Sequence, residues 1–398
     1  MRGDLAQWRP RSAGHGRQWI LALVLLLLIA CPAVAREVDV VGAASKLRRG
    51  LTEGSARLWE SASEDLVEAG AAALTQLELL TASADHRARF LAVRIAGDLF
   101  FTLDGDDEVA DRERATRILL EGLADEHPIV RDISRELVAL ARPRAAVPIL
   151  IGRLEHAVGD ERQQITELLV TLARMPLGDS HEAWSAWWAD AGEGFEMPPP
   201  PPEEGAGAMA REGPSYHGET VSSRRVVFIV DRSLSMAWGD RIGRAKRELV
   251  DTLKELPEDA RFDIVFFGGR VKAWRPELQE ATPSSIKRAV HWVMEMEIIR
   301  ATATYEALMV AMAIPEVDTI YLLSDGDPNV GRFTDPEDIC DRVRAQNTFK
   351  RIRIFTIGFF FGEVPPEYRS QSRATDKTRA FMRRLAAENR GRFAEIDE

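Results

Sequence analysis

Arg225-Val226-Val227-Phe228-Ile229-Val230-Asp231-Arg232-Ser233-Leu234-Ser235-Met236 is the stretch on which the reading of this 398-residue chain turns. Val226 to Val230 is an unbroken apolar run, mostly β-branched or aromatic, and predicts a strand buried on both faces. The strand ends on Asp231, and hydroxyls follow at alternate positions, Ser233 and Ser235. An Asp-x-Ser-x-Ser loop at the C-terminal end of a buried strand gathers several oxygens about one point. Oxygen-only ligation suits a hard divalent cation such as Mg²⁺.

Outward from this strand, the C-terminal half alternates strand and helix. Asp240 to Leu256 carries Ile242, Ala245, Leu249, Leu253 and Leu256 on one helical face, and Pro257 stops it. Phe262 to Phe267 predicts a second buried strand, ended by Gly268-Gly269, with Val271 to Trp274 as an edge strand beside it. Helices are expected over Pro283–Met296 and Thr304–Ala313. Thr319–Leu323 is the third core strand, finishing in Ser324-Asp325-Gly326. A helix over Asp335–Gln346, a strand over Arg351–Ile357, a helix over Asp376–Asn389 and a final strand over Arg392–Ile396 complete the half. The expected fold is a doubly wound, Rossmann-like, mostly parallel α/β sheet, which takes ligands at the carboxyl ends of its strands where the strand order reverses.

Three segments of this half, in order, resemble the metal-ion-dependent adhesion site of von Willebrand factor type A (VWA) domains. They are Asp231-Arg232-Ser233-Leu234-Ser235, Arg300-Ala301-Thr302-Ala303-Thr304 leading into a helix, and Leu322-Leu323-Ser324-Asp325-Gly326. The resemblance covers about Arg224 to Ile396. It implies that Ser233, Ser235 and Thr302 bind Mg²⁺ (or Mn²⁺ or Ca²⁺) directly, while Asp231 and Asp325 act through bound water and by orienting the hydroxyls. It further implies an open coordination position that captures an Asp or Glu of a protein partner. The chain departs from the family where Arg300 and Ala301 stand in place of two glycines. Arg300 either repels the cation, clamps the partner's carboxylate, or turns to solvent at the rim, where screening mutes it. Asp327 either adds negative potential at that rim or serves the turn before Pro328. The competing structural account is that these hydroxyls cap helices and the carboxylates satisfy loop amides. It explains each segment alone but not the three together.

The N-terminal half, 36–192, is rich in Ala, Leu, Glu and Arg and predicts an all-α array. Ala62–Leu80 and Arg87–Leu103 carry helical stripes. His127-Pro128-Ile129-Val130-Arg131 opens one helix, and Ala146-Val147-Pro148-Ile149-Leu150-Ile151 lies in the next. Over Leu119–Leu172 the order of these pieces resembles HEAT repeats, whose helix pairs bury their apolar faces by stacking on neighbours. Trp184, Trp187 and Trp188 share one helix face and read as an apolar cap on the array rather than a ligand platform. The acidic run Asp104–Glu108 lacks the spacing of a calcium loop and reads as a solvated turn. Between the halves, residues 193–223 include five prolines, Pro198 to Pro202, and a Gly/Ala/Glu-rich stretch, and are expected to form a stiff or extended tether.

Residues 1–35 combine four arginines, an apolar run from Trp19 to Ala30 and the small-residue pattern Ala33-Val34-Ala35, which predicts an export leader cleaved before Arg36. Leu28-Ile29-Ala30-Cys31 competes as a lipobox that would anchor the chain at a lipidated Cys31. The implied location is periplasmic or cell-surface, with membrane attachment only through the leader or Cys31. The net charge of −11, more negative still without the leader, argues against nucleic acid and anionic lipid as partners. Cys31 and Cys340 are the only cysteines, so packing rather than disulfides must hold the core. The chain has no Gly-x-Ser-x-Gly, His-Glu-x-x-His or phosphate-loop motif, and no His lies in the three site loops. A binding protein is therefore expected rather than an enzyme. A metal-assisted hydrolase and a scaffold with an idle metal site are the alternatives.

Overall fold

The computed structural model describes residues 38–103, 105–199, 213–360 and 374–396. The leader with Cys31, Asp104 of the acidic turn, and residues 200–212 of the expected tether lie outside them. No helix among the described residues is long and apolar enough to cross a membrane.

Residues 40–191 form a helical array: α1 (Val40–Glu53), α2 (Ala56–Glu68), α3 (Leu74–Thr81), α4 (His86–Thr102), α5 (Val109–Leu123), α6 (Pro128–Ala141), α7 (Ala146–Leu154), α8 (Gly159–Ala173) and α9 (His181–Ala191). The single helix expected over Ala62–Leu80 is instead broken. Gly70 sits at φ +60, and a 3₁₀ turn, Gly70–Ala73, separates α2 from α3. Glycine reaches the left-handed region without steric cost, which lets the helix stop there. The helix starts follow local chemistry. Asp85 accepts a hydrogen bond from the Arg87 amide (2.9 Å), and Pro128 occupies the first position of α6 behind His127.

One continuous apolar cluster runs from Ala43 to Trp184. Buried Arg–carboxylate pairs join helix ends within it: Arg89 to Asp125 at 2.7 Å and Arg131 to Glu161 at 2.7 Å. Trp184 is fully buried, and its indole N–H donates to the Gly178 carbonyl (2.8 Å). Trp187 and Trp188 pack on Phe195, so the tryptophans do close the array.

Described residues at both ends of the 193–223 stretch are packed. Phe195 and Met197 pack on the array's core, and Arg144, Arg142 and Arg174 donate to the carbonyls of Phe195, Pro198 and Pro199 (2.9, 3.1 and 2.8 Å). At the other end, β1 (Ser215–Tyr216) and β2 (Glu219–Thr220) form a hairpin turning through His217 and Gly218, both at positive φ. Its Tyr216 is buried against Phe228 and Tyr321. Phe195, Met197, Tyr216 and Val221 have no period in their Pro/Gly-rich context, yet each adds to a neighbouring core.

The α/β domain follows as β3 (Arg225–Asp231), α10 (Arg241–Glu255), β4 (Arg261–Phe267), β5 (Val271–Ala273), β6 (Gln279–Glu280), α11 (Pro283–Glu295), α12 (Thr304–Ala313), β7 (Thr319–Ser324), α13 (Pro336–Asn347), β8 (Arg353–Phe359), α14 (Ala374–Glu388) and β9 (Phe393–Ile396). The sheet order is β5-β4-β3-β7-β8-β9, with β6 also pairing β4. β3, β4, β7, β8 and β9 are parallel, and β5 and β6 run antiparallel at the β4 edge. Val226, Phe228 and Val230 face one core with Ala245 and Leu249 of α10. Val227 and Ile229 face the other with Leu308 of α12 and Val343 of α13. Each such fully buried large side chain stabilises by ~1.5–3 kcal/mol, which is why the strand needs no polar face.

The two regions also touch. Phe349, in the turn before β8, packs on Trp59 and Phe90 of the array at ring-centroid distances of 5.2 and 5.6 Å. Arg351 bonds Asp132 and Glu136 of α6, and Arg390 bonds Asp132. Because β8 is parallel to β3 and β7, this contact lies at the amino ends of the strands, away from Asp231 and Asp325.

Candidate functional site

The strand order reverses between β3 and β7, and the carboxyl ends of these two strands carry Asp231 and Ser324-Asp325. Register places Val230 opposite Leu323, so Asp231 falls beside Ser324, whose hydroxyl donates to Asp231 Oδ2 (2.5 Å). Asp231 Oδ1 accepts the Ser233 amide at 2.7 Å, curling the loop back over its own carboxylate. That curl brings the hydroxyls of Ser233 and Ser235 within 3.1 Å of each other. Ser235 then donates to Asp325 Oδ1 at 2.6 Å.

Thr302 reaches the same place from the second of the three loops. A Cβ added to Gly326 would lie 3.7 Å from Ser235 Oγ and 3.9 Å from Thr302 Oγ1, so both hydroxyls flank one point beside this glycine. Backbone pairs stitch the loop in place. Ile299 N–H donates to the Arg232 carbonyl (2.9 Å), Gly269 N–H to Arg300 (2.9 Å) and Ala303 N–H to Gly268 (2.9 Å). The glycine pair after β4 makes this close approach possible. Side chains at Gly268 and Gly269 would strike Ile299 and the Arg300 carbonyl, at 2.5 and 2.7 Å. On the far side, Asn329 accepts the Thr302 amide through Oδ1 (2.9 Å) and returns its own amide to the Thr302 carbonyl (3.1 Å).

The structure thus brings Asp231, Ser233, Ser235, Thr302 and Asp325 together. Of the two expected rim residues, Arg300 is exposed, and Asp327 Oδ1 accepts the Thr378 hydroxyl of α14. Ala301 sits at φ +74, the left-handed region that a glycine would occupy freely. Three residues of the site escape sequence reasoning. Ser324 reads only as part of the loop that carries Asp325, Asn329 carries no signal of its own, and Arg241 reads only as the start of an amphipathic helix. The Arg241 Nη1 donates to Asp325 Oδ2 at 2.6 Å, with the side chains 4% and 0% exposed, and its guanidinium lies 5.6 Å from the centre of the Trp238 ring.

Burial, with Asp325's charge second, pushes the Asp231 carboxyl up to about 7, against the hydrogen bonds from Ser324 and Ser233. Asp325 is also raised by burial, although Ser235 and Arg241 oppose it. The donor set is two carboxylates and three hydroxyls. Among the described residues no group of three or more His, Cys, Asp or Glu is placed to share a metal. The groups gathered here are all oxygen donors, a chemistry that suits a hard cation better than a softer transition metal.

The profile of the von Willebrand factor type A domain matches residues 226–327, which hold all three loops. The chain carries a VWA domain. Human inter-alpha-trypsin inhibitor heavy chain H4 is 29% identical to it over 193 residues, 46% of this chain and 19% of that protein. Human von Willebrand factor A domain-containing protein 3B is 31% identical over 139 residues, 35% of this chain and 10% of that protein. Among solved structures, a von Willebrand factor type A protein from Catenulispora acidiphila is 20% identical with a TM-score of 0.36, covering 44% of this chain and 39% of that one. The chain spans only a small part of the length of either relative. The protein is a VWA-domain-containing chain with an N-terminal all-helical region.

Proposed function

We propose that the VWA domain is a divalent-cation-dependent protein-binding module and that its site is the Asp231–Ser233–Ser235–Thr302–Asp325 cluster. The observation that carries this is the convergence of three hydroxyls from two separate loops on the carboxylates that end β3 and follow β7. Ser233, Ser235 and Thr302 would hold Mg²⁺, or Mn²⁺ or Ca²⁺. Asp231 and Asp325 would steer the hydroxyls, as their hydrogen bonds to the Ser233 amide and the Ser235 hydroxyl already do. A cation held mainly by neutral oxygens supplies an electropositive open position, suited to an Asp or Glu of a partner protein. Arg300, exposed two residues before Thr302, would meet that acid at the rim, with Asp327 bonded to Thr378 of α14. The module belongs to an exported protein, periplasmic or cell-surface, free after cleavage at Ala35 or anchored at Cys31. A hydrolase reading gains nothing from the site, since none of its loops contains a His to act as base.

Capture from native cell envelope on the immobilised full chain, with Mg²⁺ or with chelator, tests this reading. Retention of a partner that is lost with chelator and lost with Asp231→Ala supports it. Retention indifferent to both contradicts it.

A further inference from the structure

The buried Arg241–Asp325 pair is the feature that the adhesion-site reading does not use. Asp325 is committed at both oxygens, Oδ1 to Ser235 and Oδ2 to Arg241. A guanidinium is a permanent cation in proteins, and this one has Trp238 over it. Such a pair is not a rim contact. It sits inside the cluster, and its charge is little screened by salt.

We propose, resting on the cation reading above, that Arg241 is a positioning and charge-setting residue that makes cation capture and acid capture depend on each other. Arg241 holds Asp325 against Ser235 before any ion arrives, so the hydroxyl is pre-aimed. It also cancels one of the two carboxylate charges. A divalent ion among the three hydroxyls then faces only Asp231 as uncompensated negative charge and stays net positive in a buried setting. Alone it binds weakly. A carboxylate from outside supplies the missing charge, so each ligand tightens the other by the same factor.

The test is calorimetric titration of Mn²⁺ into the full chain in weakly alkaline buffer, with and without saturating acetate. Wild type is expected to bind Mn²⁺ about tenfold more tightly with acetate present, an effect of the size of one added charge contact. Arg241→Gln is expected to bind Mn²⁺ alone about tenfold more tightly than wild type and to lose most of the acetate effect. Arg241→Lys, which keeps the charge, is expected to restore both wild-type values, a rescue that a purely structural role would not require. A folded Arg241→Gln protein with unchanged or weaker Mn²⁺ affinity overturns the proposal. So does wild-type affinity indifferent to acetate, a measurement that needs no variant to fold. Absence of Mn²⁺ binding by wild type overturns the cation reading itself. Mn²⁺ binding without coupling overturns only the role of Arg241.

Discussion

Two buried arginine–aspartate clusters in this molecule have opposite charge arithmetic. At the contact between array and α/β domain, Asp132 lies among Arg135, Arg351 and Arg390, with Glu136 on Arg351. Burial would raise the Asp132 carboxyl, but Arg390, Arg351 and Arg135 together draw it well below the ordinary carboxylate range. Arg390 is in turn held down to about 10, by burial first, which Asp132 opposes and Arg351 reinforces. At the site, two carboxylates lie together with one guanidinium, that of Arg241 on Asp325, and both Asp231 and Asp325 carboxyls sit above their ordinary range. Cations outnumber acids at one cluster, and acids outnumber cations at the other. The first is a closed structural joint. The second is short of positive charge, as the proposed cation site requires.

The two clusters are expected to respond in opposite ways to loss of an acid. Asp132→Ala leaves Arg351 and Arg390 without their shared partner, and a broken buried pair of this kind costs ~3–5 kcal/mol. Denaturant unfolding of the chelated protein is expected to show a loss near the lower figure, since the Asp132 side chain keeps 20% of its exposure. A loss below about 1 kcal/mol, the scale of surface ion pairs, would demote the joint.

Acid sharpens the same contrast. A carboxylate whose folded pKa is depressed contributes stability that is fully present above its unfolded value, 3.8 for Asp132, and that is lost as pH falls toward the lower folded value. The difference in melting temperature between wild type and Asp132→Asn should therefore stay constant from neutrality down to about pH 5 and shrink below about pH 4. A difference that instead disappears near neutral pH would mean that another group is being read.

The site should behave with the reverse sign. In chelator, Asp231→Asn removes one of two crowded buried carboxylates while its amide can still accept the Ser233 N–H and meet the Ser324 hydroxyl. The variant is expected to be as stable as wild type or more stable by ~1 kcal/mol, and to lose any stabilisation by Mn²⁺. A large loss in chelator would make Asp231 a structural anchor of the kind Asp132 is.

The smallest expected effect concerns Ala301, held at φ +74 where the family resemblance anticipates glycine. Ala301→Gly should relieve left-handed strain and raise stability by ~0.5–1 kcal/mol after the entropy that glycine loses on folding. Destabilisation would show that the Ala301 methyl packs usefully and that the loop is not strained.

Most of the α/β domain is legible in the sequence because its local signals agree. The apolar run of Val226–Val230 can only be a two-sided strand, and Thr304–Ala313 is a helix between the bounds that its residues mark. The site is legible for a different reason: Asp231, Thr302 and Asp325 each adjoin a recognisable element end. Arg241, Asn329 and Ser324 are not, because their partners lie 84, 27 and 93 residues away, separations that leave no period in sequence. The same holds for Phe349, Arg351 and Arg390, loop residues whose partners lie in the array, for the arginines 219 and 258 positions earlier in α6. Gly70 shows the converse. A helical stripe persists through it, but a glycine at φ +60 ends the helix.

The three hydroxyls and two carboxylates at the carboxyl ends of β3 and β7 are the proposed cation site. Its most direct test is the melting temperature of the full chain with Mn²⁺ against chelator, in wild type and Asp231→Ala. The account predicts a saturable rise in wild type that follows ligand linkage and is absent in Asp231→Ala. Equal melting temperatures with and without Mn²⁺ in wild type, or an equal rise in both proteins, would contradict it.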